Sequence, residues 1–320
     1  MRPTLSIIFF TVISGCGFGL LFLVGVACCV NVTGVSRASA LTALGAGMFF
    51  AAAGLASSLL HLGQPQRAWR ALSQWRSSWL SREGVASILT FAPALVLFWM
   101  LWKGDASGGT HFVGAALMLM SFVTVVCTAG IYTSLKTIRA WHNALVTPGY
   151  LCFGALSAAC WFWMIVTLID APSSKIAAFA PWLVLTLAAI SFVIKLAYWR
   201  FIDTYVGKST PETATGLGRF GKVSTFESPH TEENYLTNEM GFVLARKHAS
   251  RLRVIAVAAF AIVPAIAAIV SVLGHVQLLT VVCAIAAALG SIAGLFVERW
   301  LFFAQAKHLV MLYYTRFENA

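Results

Sequence analysis

The chain has 320 residues, 59% hydrophobic and only 10% charged, with a mean hydropathy of +0.83. Soluble domains carry roughly a quarter charged residues, so no water-soluble core of this size would hold such a composition, whereas a bilayer accepts it. The formal net charge of +11 gathers on one face, where anionic lipid or an acidic partner accounts for it without nucleic acid.

The predicted architecture is all-α and integral to the membrane: about eight transmembrane helices in a bundle, N and C termini cytoplasmic. It reads as one membrane domain over 1–320, with cytoplasmic loops at 61–84 and 200–253. A spanning helix needs about 20 mostly apolar residues. In chain order the candidate spans run Leu5–Val30, Leu41–Leu60, Val85–Trp102, Phe112–Leu135, Pro148–Ile169, Phe179–Trp199, Val254–Leu273 and Leu278–Leu301. Trp99, Trp102, Trp182, Tyr198, Trp199 and Trp300 sit near span ends, as an interfacial aromatic belt requires.

The first span contains Ile13-Ser14-Gly15-Cys16, similar to a lipoprotein processing site. The apolar run continues past Cys16 to Val30, so the span is expected to be retained. Its Gly15, Gly17, Gly19 and Gly25 predict close helix packing; a flat ligand against the exposed backbone is the sharper alternative. The seven cysteines lie in apolar runs without a CxxC pair, which argues for small hydrophobes rather than metal ligands. The seven histidines fall in loops or near span ends, so no pair stands ready for a b-type haem. Lys195, about one turn from Tyr198-Trp199-Arg200, is expected to snorkel to the surface. Neither broken helices nor a mid-membrane charge network is legible, which argues against a secondary transporter.

Lys and Arg are distributed unevenly. The N-terminal stub, the even-numbered loops and the C-terminal tail (with Arg299 counted in the tail) hold 18, against 3 in the odd-numbered loops. The positive-inside rule puts the 18 in the cytoplasm.

Two segments on that face stand out. The loop after the second span packs His61, Gln64, Arg67, Trp69, Arg70, Trp75, Arg76, Trp79, Arg82 and Glu83 into 23 residues. Pro65 is placed to start a short amphipathic helix along the interface. An interfacial anchor explains the Trp and Arg. It does not explain His61, which closes the second span, or Glu83, which opens the third. An imidazole and a carboxyl at that depth are costly unless paired or wetted, and they exchange protons near neutral pH. Such groups suit a quinone site, with His61 bonding a quinone oxygen and Glu83 moving the proton. The second segment, about 54 residues from Arg200 to Arg253, is too long for a turn and reads as a docking surface for a soluble subunit.

The His61–Trp69 element HLGQPQRAW and the Ser78–Glu83 element SWLSRE resemble the membrane-anchor subunit of dimethyl sulfoxide reductase and its relatives. The chain length, the eight spans and Glu233–Ala249 in the long loop fit the same resemblance. It implies a quinone-reactive anchor in the bacterial inner membrane, itself without haem or metal. Such an anchor is non-catalytic and carries electrons. Its implied partners are a ferredoxin-like iron–sulfur subunit with four [4Fe–4S] clusters and a molybdopterin catalytic subunit. The family's quinol-site histidine matches His61 and its functional glutamate matches Glu83; Arg67, Trp69, Arg70 and Arg82 are added by position. Docking of the partners is assigned to Arg76, Lys208, Arg219, Lys222, Arg246 and Lys247. In dimethyl sulfoxide reductase the corresponding loop faces the periplasm, but here the charge count puts it in the cytoplasm. The chain is therefore more similar to the anchor of sulfite dehydrogenase, whose molybdenum subunit stays cytoplasmic. The expected function is electron transfer between docked clusters and ubiquinone or menaquinone during sulfite oxidation. The alternative is quinol oxidation for a dimethyl sulfoxide reductase.

Overall fold

Small polar residues set where the spans begin. Ser36 and Ser78 each accept the backbone N–H three residues on, from Ser39 and Ser81, and Ser107 accepts that of Gly109, satisfying amides that a helix start leaves bare. In the computed structural model the described residues are 4–30, 35–60, 63–105, 107–204, 210–224, 226–227, 248–274 and 276–313. Eight helices among them are long and apolar enough to cross a membrane. They are α1 (Leu5–Cys29), α2 (Arg37–Leu59), α3 (Trp79–Lys103), α4 (Gly108–Thr133), α5 (Val146–Ile169), α6 (Lys175–Thr204), α7 (Ala249–Gly274) and α8 (Gln277–Ala304). The count agrees with the sequence. The helices run a few residues beyond the apolar stretches, because their polar ends stay helical once capped.

α1 and α5 form the centre: 67% of the apolar stretch of each is buried, against 33–44% in the other six. α1 packs on α2, α4 and α5, and α8 joins α5 to α7. The glycines of α1 permit this contact. A Cβ on Gly17 would stand 2.3 Å from the Ala51 amide nitrogen of α2, and one on Gly19 would stand 2.4 Å from the Gly154 carbonyl of α5. The packing expectation therefore holds. Across the bundle, Arg37 donates to the Trp102 carbonyl and Ser39 donates to Asp170 Oδ1 at 2.8 Å, tying the odd-loop ends of the helices together.

α1 and α7 each contain one π-helical stretch, Phe10–Ser14 and Ala258–Ile262. In α1, Ser14 Oγ donates to the Phe10 carbonyl at 2.6 Å; in α7 the stretch precedes Pro264, which has no amide hydrogen to give. Trp99, Trp102 and Trp182 are exposed, as a lipid-facing belt requires. Tyr198 and Trp199 depart from the expectation and are buried.

Three expectations about charge are corrected. Lys195 does not snorkel: it is 2% exposed and forms an ion pair with Glu298 of α8. Arg299 is not in the tail but buried within α8, which leaves the sign of the Lys/Arg bias unchanged. A charge cluster does lie inside the spans, formed by Lys195, Glu298 and Arg299. Sequence position alone hides it, because its members meet only when α6 and α8 both pack on α5 and α7.

Candidate functional site: the α2–α3 connection and the polar layer beneath it

Pro65 begins a 3-10 helix, Pro65–Gln74, in line with the sequence. The helix is exposed, and so are its Arg67, Trp69 and Arg70. Trp69 and Trp75 are 67% and 52% exposed, with Arg70 over the Trp69 ring and Arg76 over the Trp75 ring at 5.6 and 5.4 Å. Cations stacked on indoles suit headgroup depth, where one face is wet and the other apolar.

α3 then turns into the bundle. Arg82 Nε donates to the Trp75 carbonyl at 3.0 Å and Nη2 to the Arg76 carbonyl at 2.7 Å, and its guanidinium lies 4.5 Å from the Trp79 ring centre. Trp79 lies flat on Gly130 of α4, where any Cβ would come within 2.5 Å of the indole. Ser81 Oγ donates to the Ala71 carbonyl, fixing the 3-10 helix to the start of α3. These contacts hold a charged, aromatic lid over the first turn of α3.

Glu83 sits under that lid. It is 4% exposed, one turn inside α3 rather than at its opening. Its Oε1 accepts a hydrogen bond from Thr128 Oγ1 of α4 at 3.3 Å. Arg82 spends its donors on the loop carbonyls, and Glu83 forms no ion pair among the described residues. A carboxyl in this setting is costly as an isolated anion. Thr128 continues a column of hydroxyls: Thr124 stands a turn away on α4, with its Oγ1 3.0 Å from that of Thr90 on α3.

Thr128 also lines a cavity of about 20 Å³ that is walled by Thr11, Ser14, Tyr150, Ser157 and Arg299. This is room for one water, and it abuts the π-helical stretch of α1. On its far side the Arg299 guanidinium lies 3.7 Å from the Tyr150 ring centre, and Arg299 Nε lies 3.6 Å from Glu298 Oε2. That oxygen has no hydrogen-bond partner among the described residues. Lys195 pairs with the other oxygen and stands 4.1 Å from the Tyr198 ring centre. An aromatic roof of Tyr132, Trp141, Phe302 and Phe303 closes this end of the bundle, anchored by Trp141 Nε1 donating to the Phe302 carbonyl at 3.1 Å.

The structure thus ties Arg82 to the Arg76 carbonyl, turns Glu83 inward onto Thr128, and leaves Arg67, Trp69 and Arg70 on the outer surface of the lid. His61 lies outside the described residues. Of the docking residues, Lys208, Arg246 and Lys247 also lie outside them. Arg219 and Lys222 belong to the described part of the long loop. A short helix, Pro211–Thr215, is closed there by a reciprocal Thr210–Thr213 cap. Glu212 Oε1 accepts from the Val223 amide at 3.1 Å; a Thr210 hydrogen bond and these amide bonds hold its carboxyl below the usual range. Arg219 lies over the Phe220 ring, and Phe220 and Phe226 are 74% and 97% exposed. Sequence reasoning missed Thr128, Glu298 and Tyr150. Glu298 carried a readable signal, an acidic residue within an apolar helix, obscured by its place near the helix end.

Two comparisons bear on this arrangement. The family model described as DMSO reductase anchor subunit (DmsC) matches residues 1–319. One subunit of the sulfite dehydrogenase of Allochromatium vinosum is 30% identical, over 98% of this chain and 99% of that protein. With eight membrane-spanning helices and a match over essentially its whole length, the chain belongs to the DMSO reductase anchor subunit family.

Proposed function

We propose that this protein is the quinone-reactive membrane anchor of a molybdopterin/iron–sulfur oxidoreductase, passing electrons between docked [4Fe–4S] clusters and membrane quinone in sulfite oxidation. The observation that carries the reading is Glu83: a buried carboxyl with one hydroxyl partner, one turn inside α3, under a lid of stacked Trp and Arg. A bound quinone supplies two-electron, two-proton redox chemistry. The residues present fit such a group, with a proton-bearing carboxyl for an oxygen and indoles for a flat ring. In this reading Glu83 holds the proton that is exchanged at the quinone oxygen and His61 orients that oxygen. Arg82 and the lid exclude bulk water, so that protons move through Thr128 rather than leak.

The lid, the even-numbered loops and both termini are assigned to the cytoplasmic side of a bacterial inner membrane, on the Lys/Arg bias. The exposed Arg219, Lys222, Phe220 and Phe226 give the iron–sulfur partner a basic, aromatic surface to dock on, with Arg76 beside the quinone. The family's name favours a second reading, quinol oxidation for a dimethyl sulfoxide reductase, which puts the same lid in the periplasm. A reporter fused to the C terminus decides between them: a cytoplasmic signal is expected, and a periplasmic one overturns the assignment.

Glu83→Gln in the assembled complex tests the site. Quinone-coupled turnover is expected to fall roughly a hundredfold, the scale of a lost proton-transfer group, while electron transfer to a soluble dye that bypasses quinone is unchanged. Full quinone-coupled turnover in that variant would remove Glu83 from the mechanism.

A further inference from the structure

The buried cations and Glu298 play no part in the lid, yet they occupy the same end of the bundle as Glu83. Four observations connect them. Arg253, at the start of α7, makes a two-pronged ion pair with Asp203 at the end of α6, at 2.5 and 2.8 Å, and Asp203 is half-exposed to water. Arg253 and Lys195 lie over the same Trp199 ring, at 5.2 and 5.1 Å from its centre. Lys195 pairs with Glu298, and Glu298 faces Arg299 with an unsatisfied oxygen. Arg299 lines the water-sized cavity that Thr128, the partner of Glu83, also lines, and with Phe153 it lines a second cavity of about 10 Å³ together with Lys195 and Glu298.

We propose that Lys195, Glu298 and Arg299 form an internal proton-exchange station joining the aqueous surface at Asp203 to Glu83. The inference rests on the reading of Glu83 as a proton donor and acceptor. A cluster kept only for packing would be expendable, because buried ion pairs contribute little net stability over apolar residues of similar volume. Glu298 Oε2 has no hydrogen-bond partner among the described residues, and Glu298 lines a cavity of about 10 Å³ that shares Phe153 and Arg299 with the Thr128 cavity, which gives a proton a place to arrive.

The balance is simple. When Glu83 gives a proton to a quinone oxygen it is left as carboxylate, and Thr128 with the cavity water hands it one proton. Glu298 replaces the proton that the water gave up, by way of the adjoining cavity of about 10 Å³ that it lines with Lys195 and Arg299. Transfer of a proton from the Lys195 ammonium to the Glu298 carboxylate leaves a neutral amine beside a neutral acid, with the charge of the pair unchanged. Reprotonation of Lys195 from the Asp203 side restores the starting state. One proton crosses per cycle, two cycles serve one quinone, and the electrons come from the docked iron–sulfur partner. The sequence runs in reverse for quinol oxidation.

The titratable groups bearing on Glu298 are Lys195 and Tyr198 from α6, Tyr150 from α5 and Arg299 from its own helix, while Arg253 from α7 bears on Lys195 and Tyr198. Those around Glu83 are Cys127 and Tyr132 from α4 and Arg82 from α3. Tyr150 lies within electrostatic reach of both carboxyls.

The test uses the assembled complex with Glu298→Gln, Glu298→Asp and the double variant Lys195→Met/Glu298→Met, each beside Glu83→Gln. Glu298→Gln is expected to slow quinone-coupled turnover at least tenfold and change its pH profile, with dye-coupled turnover intact. Glu298→Asp recovers most of the rate. Wild-type rate and profile in Glu298→Gln would overturn the proposal. If Glu298→Gln does not assemble, the double variant, which removes both charges, decides: slow turnover supports the station, and wild-type turnover reduces the pair to packing. An infrared pH titration without added quinone gives a readout free of activity. The carboxyl band lost in Glu83→Gln is expected to titrate at a displaced midpoint in Glu298→Gln, and an unmoved midpoint counts against the connection. If Glu83→Gln itself turns over normally, the quinone reading fails first, whatever Glu298 does.

Discussion

At the residue scale, placement of single polar groups decides what this bundle end can do. Thr128→Val removes the hydroxyl that bonds Glu83 and keeps the shape. Quinone-coupled turnover is expected to drop several-fold with assembly unaffected, measured against the dye-coupled rate. Lys195→Met would still leave Glu298 beside Arg299, whereas Glu298→Met alone leaves Lys195 and Arg299 as two uncompensated buried cations, a loss of about 3–5 kcal/mol. The protein should then unfold at a clearly lower temperature in detergent than the double Lys195→Met/Glu298→Met variant. Equal unfolding temperatures would show that the pair carries no such penalty. Outside the spans, the Val310 amide donates to His308 Nδ1 at 3.1 Å, which requires a neutral ring, and partial burial lowers the ring's pKa. A lowered folded pKa means that stability is present above the unfolded value of about 6.5 and is lost as pH falls through the folded one. The protection of the Val310 amide against exchange, relative to its intrinsic rate at each pH, should therefore fall on acidification and stay high near neutral pH.

At the element scale, the spans were legible because length and hydropathy are what a bilayer demands of a helix. The 3-10 helix was legible from Pro65. Glycine spacing foretold the packing of α1, and the prediction is graded by position. Gly17→Ala puts a methyl against the backbone of Ala51 and is expected to lower the unfolding temperature by several degrees. Gly15→Ala meets nothing within 4 Å and is expected to be neutral or slightly stabilising, since Ala is the better helix former. Equal effects would contradict the close crossing of α1 and α2. What was not legible is cross-helix pairing. The sequence shows Lys195 one turn from an aromatic boundary, which is also how a snorkelling lysine looks. Only the packing of α6 and α8 against α5 and α7 reveals Glu298 opposite it and Tyr198 and Trp199 turned inward around it. Thr128 was overlooked for a similar reason: a threonine in an apolar helix has no meaning until a carboxyl from α3 meets it.

At the scale of the whole molecule, the membrane part is asymmetric. The even-loop end carries the lid, the buried Glu83, the charge cluster and the aromatic roof. The opposite end has a groove of about 360 Å³ walled by Thr167, Asp170, Trp182, Ser271 and Gln277, with neither lid nor cluster. Polarity, charge and aromatic rings thus collect on one side among the described residues, the side where the proposed iron–sulfur partner and quinone are placed. Family membership adds the complex and leaves the location of the redox event to chemistry. Photolabelling of the intact complex with a photoreactive quinone analogue is the most direct test of that location. The account predicts adducts within residues 63–84 and the facing turn of α4, competed away by native quinone. Adducts confined to the opposite groove around Asp170 and Trp182 would contradict it.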